Sequence, residues 1–242
     1  MDSITVLLEG GNSEMDPSRC IVLVPVGHHI EPACDEALKQ LERRGYQVRR
    51  RYGSAAIDQA RSRLATDALA EGFDELMWID SDTGFDPDAV EQLRAHELPL
   101  VGGVCVKKGA RALACHILPG TERFVLGEGG GLTEVRYVGT GFLHTRREVY
   151  EKIADHEKLP VCNQKFGTPT VPYFLPMLLP EDDGNHWYLG EDFAFTERAR
   201  RCGFDVYVDT SFRLEHIGTY GYTWEDAGTD KPRYGSYNYY FK

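Results

Sequence analysis

Short apolar runs alternate with amphipathic segments along the first half of the chain. The runs CIVLVPV, LMWI and LPLVGGVCV, at residues 20–26, 76–79 and 98–106, have no polar face and are typical of strands buried on both sides of a parallel sheet. Apolar residues recur with helical spacing over residues 32–44 and between Ser54, a candidate N-cap, and Glu71. The pattern predicts an α/β fold with a mostly parallel central sheet.

The second half of the chain carries shorter and more polar elements. After about residue 110, the segments ALACHIL, RFVL and EVRYV alternate between apolar and polar positions and predict a small antiparallel sheet. A strand from Phe142 precedes a predicted helix, for which Thr145 and Glu148 form a candidate capping box. Prolines recur over residues 160–189, and because proline interrupts helices and ladders, we expect a long loop there.

Composition favours one soluble domain. The 242 residues are 42% hydrophobic, enough for a sizeable core, and no apolar run reaches the about 20 residues that span a bilayer. No linker divides the chain, so we expect a single domain over 1–242, with a peripheral segment at 1–19 and an aromatic tail or lid at 219–242. The six cysteines show no C-x-x-C spacing and are expected to be reduced thiols of a cytoplasmic protein.

The net negative charge of the chain makes some binding partners less expected than others. A net charge of -11 argues against direct nucleic-acid binding, which needs a basic face to displace counterions. A cation cofactor suits an acidic protein better than a nucleic-acid partner does.

An acidic motif directly follows the second buried run, in the segment MWIDSDTGFDPDAV. Asp80 marks the carboxyl end of the predicted strand, where ligands of open α/β sheets gather. Continued strand alternation would put Asp80 and Asp82 on one face, with Ser81 facing away, so that both acids could bind one cation or sugar diphosphate. Asp86 and Pro87 read as a helix N-cap and first helical residue. On local signals alone, an Asx turn explains the triplet equally well.

The end of the first predicted strand is a second candidate site. Pro25, Val26 and His28 lie at its carboxyl end, where a nucleotide could bind. His28 could instead simply cap the loop.

Two later segments hold further polar residues. Glu191 and Asp192 open a predicted helix that stops at Gly203, and the helix dipole by itself favours acids in a first turn. The segment RLEHIG, after the last predicted strand, supplies His216.

The order of these motifs resembles the GT-A glycosyltransferases, over roughly residues 21–218. The resemblance is carried by three features. The first is the apolar strand followed by the D-x-D motif, which is Asp80-Ser81-Asp82 here. The others are the later acidic pair, followed by ARRCGFDVYVD, and the histidine after the last strand. It implies a GT-A-like (Rossmann-like) α/β/α sandwich. It also implies an enzyme that moves a sugar from a nucleotide-sugar donor to a hydroxyl acceptor, which could be a saccharide, a lipid-linked group or a protein. A UDP-sugar is the first expected donor and GDP-mannose the second.

The resemblance further implies a role for each site residue. Mn²⁺, or Mg²⁺ in its place, would be bound by Asp80, Asp82 and His216, with Asp80 also placed to contact the ribose or an arginine. Asp192, or else Glu191, would be the base that deprotonates the acceptor, as in inverting enzymes.

Other residues are implied as neighbours of the substrates. Either Arg61 or Arg63 would lie under the nucleotide or orient the first aspartate, although a solvated basic helix face explains them equally well. The turn Gly139-Thr140-Gly141 would border the acceptor.

Several alternatives stay open at this point. A retaining GT-A enzyme can carry acids at a similar place, and a non-catalytic nucleotide-sugar-binding domain would share the fold. A haloacid-dehalogenase-type phosphohydrolase would need a later G-D-x-x-x-D, which the chain lacks. A sugar nucleotidyltransferase would need a glycine-rich loop where VPVGHHIEP stands.

Overall fold

The computed structural model describes residues 15–53, 55–228 and 236–241. Its strands are β1 (Cys20–Val26), β2 (Gln47–Tyr52), β3 (Glu75–Ile79), β4 (Thr83–Gly84), β5 (Leu100–Gly103), β6 (Cys115–Ile117), β7 (Arg123–Gly127), β8 (Leu132–Val138), β9 (Phe142–Arg146), β10 (Met177–Pro180), β11 (His186–Leu189), β12 (Val206–Asp209), β13 (Glu215–Ile217), β14 (Gly221–Tyr222) and β15 (Ser236–Tyr240). Its helices are α1 (Pro32–Arg43), α2 (Ile57–Ala70), α3 (Asp88–Ala95), α4 (Arg147–His156), α5 (Glu191–Arg201) and α6 (Trp224–Ala227).

The central sheet has eight strands in the order β2-β1-β3-β9-β5-β12-β8-β6. Strands β2, β1, β3, β5, β12 and β6 run in one direction, and only β9 and β8 of this sheet run in the other. The expectation of a mostly parallel sheet is therefore confirmed. Parallel pairing of β1 with both β2 and β3 brings their carboxyl ends to one edge.

Apolar side chains of the sheet alternate between two separate cores. Leu76 and Trp78 of β3 join a cluster that includes residues of α2, α4 and α5. Met77 and Ile79 join a second cluster, with residues of α1 and α3. A strand that is apolar at every position is therefore required, because both of its faces are covered by helices. The result is the expected α/β/α sandwich.

Small antiparallel sheets are also present, as expected, but their members differ from the prediction. Strands β6 and β8 extend the central sheet, whereas β7 pairs with β15 from the aromatic tail. In that tail, Tyr239 and Phe241 pack against the first core cluster. Residues 1–14 of the predicted peripheral segment, residues 229–235 of the predicted tail or lid, and the Ser54 cap lie outside the described residues.

Two local predictions are wrong. The proline-containing region contains the hairpin β10–β11, in which Pro180 pairs with His186 at the end of the strand. Proline is tolerated there because a two-stranded hairpin consists only of edge strands. The capping box does not form, since the Thr145 hydroxyl donates a hydrogen bond to the Leu76 carbonyl instead and α4 begins at Arg147.

The cysteines match the expectation of unpaired thiols. All six cysteines are free thiols, and Cys20, Cys34, Cys115 and Cys202 are buried. Among the helices of the described residues, none combines the length and hydrophobicity of a membrane span.

Candidate functional site

The D-x-D segment is a tight turn at the carboxyl edge of the central sheet. The chain leaves β3 at Asp80, whose N–H donates to the Gly141 carbonyl (2.9 Å), and turns back so that the Thr83 N–H donates to the Asp80 carbonyl (3.0 Å). The predicted strand alternation therefore does not set the directions of the two carboxylates, because residues 80–82 are not extended. The predicted helix start is one residue early, because α3 begins at Asp88 with Pro87 at the N-cap position. The Asp86 carboxylate still accepts the Asp88 N–H (Oδ1, 3.0 Å) just before the helix.

A short sheet joins this turn to the last part of the chain. The Ile217 N–H donates to the Asp82 carbonyl (2.7 Å), and β13 pairs with β4 so that His216 lies opposite Thr83. His216 Nε2 consequently lies 3.6 Å from Asp82 Oδ2. His216 Nδ1 is 2.7 Å from the Val106 carbonyl, which can only accept, so Nδ1 carries the proton in the neutral ring. The lone pair of Nε2 is then directed to the Asp82 side.

A lysine that sequence reasoning missed completes this group. Lys108 Nζ donates to Asp82 Oδ2 over 2.6 Å. Burial alone would raise the pKa of Asp82, but the His216 ring and the Lys108 ammonium beside it outweigh this effect and lower the pKa to about 2. Burial likewise opposes charge on His216, yet the neighbouring Asp82 carboxylate and the hydrogen bond to the Val106 carbonyl raise its pKa. Asp82 is therefore ionised at neutral pH and accepts a hydrogen bond from the Lys108 ammonium.

A buried arginine links the D-x-D turn to the acidic helix start. Arg61 is 3% exposed, and its Nη2 donates to Asp80 Oδ1 over 2.8 Å. Its Nε lies 3.5 Å from Glu191 Oε1. The resemblance had implied an arginine at the first aspartate, and Arg61 occupies that position. Its Nε and Nη1 are both buried with no hydrogen-bond partner among the described residues, which leaves donors of this guanidinium unused at the site.

Arg63 does not reach this group. Its guanidinium contacts Asp67 (2.8 Å) and the Pro169 carbonyl (2.8 Å), because residues two apart on a helix point in different directions.

The acidic pair opens α5 and faces a glycine turn. Asp192 Oδ1 accepts the Phe193 N–H (2.7 Å), and a Cβ built at Gly139 would lie 3.5 Å from Asp192 Oδ2. A Cβ built at Gly141 would lie 3.1 Å from Asp80 Oδ2. Glycine at these two positions therefore keeps space open beside both carboxylates. Thr140 between them is buried, and its hydroxyl has no partner among the described residues.

Burial shifts both acids of this pair toward the protonated form. Desolvation raises the pKa of Glu191, and Arg61 only partly offsets it. Desolvation also raises the pKa of Asp192, against the Phe193 N–H and the charge of Arg61. A carboxylate with a raised pKa is a better proton acceptor, which is the property that a general base needs.

The end of β1 lies beside the D-x-D turn. The Glu31 N–H donates to the Ser81 carbonyl (2.8 Å), which ties the loop after β1 to the turn. Pro25 and Val26 are buried strand residues, whereas His28 is exposed at the rim. Of the three, only His28 is therefore available for a side-chain contact with a bound ligand.

A second group of ligand-type residues was not predicted. Cys20, Glu75 and His144 have ligand atoms within 4.8 Å of one another. Arg94 Nε, however, donates to Glu75 Oε2 over 2.8 Å, and burial raises the pKa of the Cys20 thiol to about 12. A protonated thiol and an already paired carboxylate suit a structural ion pair better than a metal site.

Asp82 and His216 are the residues at the D-x-D turn that could hold a divalent cation. Carboxylate oxygen and neutral imidazole nitrogen suit Mn²⁺, and the hydrogen bond from Nδ1 to a backbone carbonyl is the usual support of a ligating histidine. The ammonium of Lys108 shows that this position already attracts positive charge. Asp80 differs, because its Oδ1 is bonded to Arg61.

Comparison with known proteins indicates likeness in fold. No protein-family model matches the chain, and no curated protein matches its sequence. The solved structure of A197 from STIV is similar with a TM-score of 0.53 and 19% identity, over 82% of this chain and 86% of that one.

Two other solved structures are more distant. GalNAc-T7, crystallised with UDP, GalNAc and Mn²⁺, has a TM-score of 0.44 and 11% identity, over 82% of this chain and 44% of that one. The inositol-1-phosphate CTP transferase from T. maritima has a TM-score of 0.33 and 15% identity, over 82% of this chain and 70% of that one. Together with the strand order, the likeness to A197 supports the α/β fold class.

Proposed function

We propose that this protein is a metal-dependent glycosyltransferase, which transfers a sugar from a nucleotide-sugar donor to a hydroxyl acceptor. The observation that carries the proposal is the pairing of Asp82 and His216 at the carboxyl edge of the sheet, with Nε2 and Oδ2 3.6 Å apart. Arg61 connects this pair, through Asp80, to the acids at the start of α5. One side of the site can thus hold a cation and the other can accept a proton.

On the donor side, Asp82 and His216 would bind Mn²⁺ or Mg²⁺. Such an ion, when bound, supplies Lewis-acid stabilisation of the charge that develops on a departing diphosphate. Asp80 accepts a hydrogen bond from Arg61 and would orient the turn or contact the ribose. His28, at the exposed rim, would contact the base of the nucleotide.

On the acceptor side, Asp192 is the proposed general base. Its raised pKa and its open side next to Gly139 suit it to take the proton of an attacking hydroxyl. Glu191 is the alternative, but its ion pair with Arg61 makes it better suited to positioning. A base that faces the acceptor, opposite the leaving group, would give inversion at the anomeric carbon.

Turnover and product configuration test the enzyme and its stereochemistry together. The protein should release UDP from a UDP-sugar in the presence of Mn²⁺ and a hydroxyl acceptor, and NMR of the product should show the inverted configuration. Asp192→Asn should lower turnover by about 10² or more, the usual contribution of a general base. A retained configuration would identify a retaining enzyme. Binding without turnover of any nucleotide sugar would identify a non-catalytic binding domain.

The donor nucleotide can be tested by calorimetry. We expect UDP to bind more tightly than GDP, CDP or dTDP when each is titrated in the presence of Mn²⁺. A clear preference for GDP would overturn the choice of UDP and favour GDP-mannose.

A further inference from the structure

Lys108 occupies an unusual place, given the role proposed for Asp82. Its ammonium lies 2.6 Å from Asp82 Oδ2, the same oxygen that faces His216 Nε2 at 3.6 Å. A divalent ion held by Asp82 and His216 would need this oxygen and would meet the ammonium at close range. Two positive charges would then compete for one carboxylate oxygen, so Lys108 and the ion exclude one another from it.

Hydrogen bonds hold the backbone just before Lys108, whereas its side chain is partly exposed to solvent. Val106 accepts the hydrogen bond from His216, and the Lys107 N–H donates to the Ala112 carbonyl (2.8 Å). The aliphatic part of Lys108 lies over Gly218, where a Cβ would come within 3.2 Å of Lys108 Cδ. The Lys108 side chain is 33% exposed. The ammonium can therefore leave Asp82 and stay within the site.

A nucleoside diphosphate supplies the alternative partner for this ammonium. The phosphate oxygens would lie next to the ion on Asp82, and lysine binds phosphate as a mobile point charge. We propose that Lys108 exchanges partners, from Asp82 in the free enzyme to the diphosphate of the donor when a divalent ion binds. This inference rests on the proposed function.

The exchange has a thermodynamic consequence. Lys108 weakens the binding of the ion alone and strengthens the binding of the diphosphate once the ion is present. Ion and diphosphate therefore favour one another's binding, and linkage requires the effect to be reciprocal. The free enzyme keeps little metal without its donor.

Two titrations on one variant test the exchange. Mn²⁺ binding is followed by the EPR signal of the free ion without nucleotide, and UDP binding by calorimetry at saturating Mn²⁺. Lys108→Met, which keeps the length of the side chain, should bind Mn²⁺ about fivefold more tightly, because the competing charge is gone. It should bind UDP about tenfold more weakly, because a charge-assisted hydrogen bond is lost. Lys107→Met removes the same charge from the adjacent residue and should change neither affinity.

The exchange predicts that Lys108→Met changes the two affinities in opposite directions, whereas structural damage would weaken the binding of both Mn²⁺ and UDP. Equal or weaker Mn²⁺ binding by Lys108→Met, or unchanged UDP binding, would overturn the exchange while the proposed function stands. If the wild-type protein binds neither Mn²⁺ nor UDP, the proposed function itself fails, and the exchange fails with it.

Discussion

Arg61 offers the sharpest test of how the two halves of the site are held together. Its guanidinium is buried between Asp80 and Glu191, and it stacks over Trp78 with Cζ 5.9 Å from the ring centroid. Arg61→Met keeps an apolar side chain against Trp78 but leaves the carboxylates without their counter-charge. Removing one partner of a buried ion pair costs about 3–5 kcal/mol of unfolding free energy.

The lower end of that range applies here. The Asp80 and Glu191 side chains remain 31% and 19% exposed, so water can partly solvate them in the variant. We therefore expect a loss of about 3 kcal/mol at pH 7. Burial already raises the pKa of Glu191, and loss of the Arg61 charge would raise it further in the folded variant, so that the folded variant binds more protons than the unfolded chain. Its stability relative to wild type should consequently be worse at pH 8 than at pH 5.

Urea denaturation followed by tryptophan fluorescence measures these differences. Arg63→Met is the matched control, since it lies on the same helix in a half-buried pair with Asp67 and should cost at most about 1 kcal/mol. Adding Asp80→Asn to Arg61→Met should recover about 1 kcal/mol or more, because one unpaired carboxylate is removed. Equal losses for Arg61→Met and Arg63→Met would refute the assignment of Arg61 as the central counter-charge.

Two further predictions concern the core and can be checked by the same denaturation assay. Burial would raise the pKa of Glu75, but hydrogen bonds from His144 and Arg94 hold it well below its usual range, so its contribution is complete above the unfolded value of about 4.3 and is lost as the pH falls. Glu75→Gln should therefore cost about 3 kcal/mol at pH 7 and less at pH 3, and a constant difference would contradict this. A Cβ at Gly103 would come within 2.7 Å of its nearest neighbour, so Gly103→Ala should cost about 1–3 kcal/mol, whereas Gly27→Ala, with nothing within 4 Å, should cost much less.

The central sheet could be predicted because a strand that is buried on both faces is recognisable from its own residues. The apolar run before Asp80 has no polar face, and this feature alone indicates a strand covered on both sides and a motif at its carboxyl end. Both ends of α5 could also be predicted from the sequence. Glu191 and Asp192 mark its first turn, and Gly203 follows its last turn.

The features that sequence reasoning missed or left undecided depend on contacts between segments that are distant along the chain. Lys108 follows an ordinary strand, and nothing in its neighbours along the chain indicates that it meets Asp82. Thr145 has the spacing of a helix cap, yet its hydroxyl is used by the Leu76 carbonyl across the sheet. Arg61 and Arg63 could not be distinguished before the orientation of α2 was known. Local patterns do not contain this information, because tertiary packing decides which of several hydrogen bonds a side chain makes.

Metal-dependent binding of UDP is the most direct test of the proposed site. UDP is titrated into the wild-type protein and Asp82→Asn by calorimetry, each with Mn²⁺ and again with EDTA. We expect the wild type to bind UDP at least about tenfold more tightly with Mn²⁺ than with EDTA, and Asp82→Asn to lose most of that difference. Equal affinity of the wild type in Mn²⁺ and EDTA, or an unchanged metal effect in Asp82→Asn, would contradict a divalent ion held by Asp82 and His216.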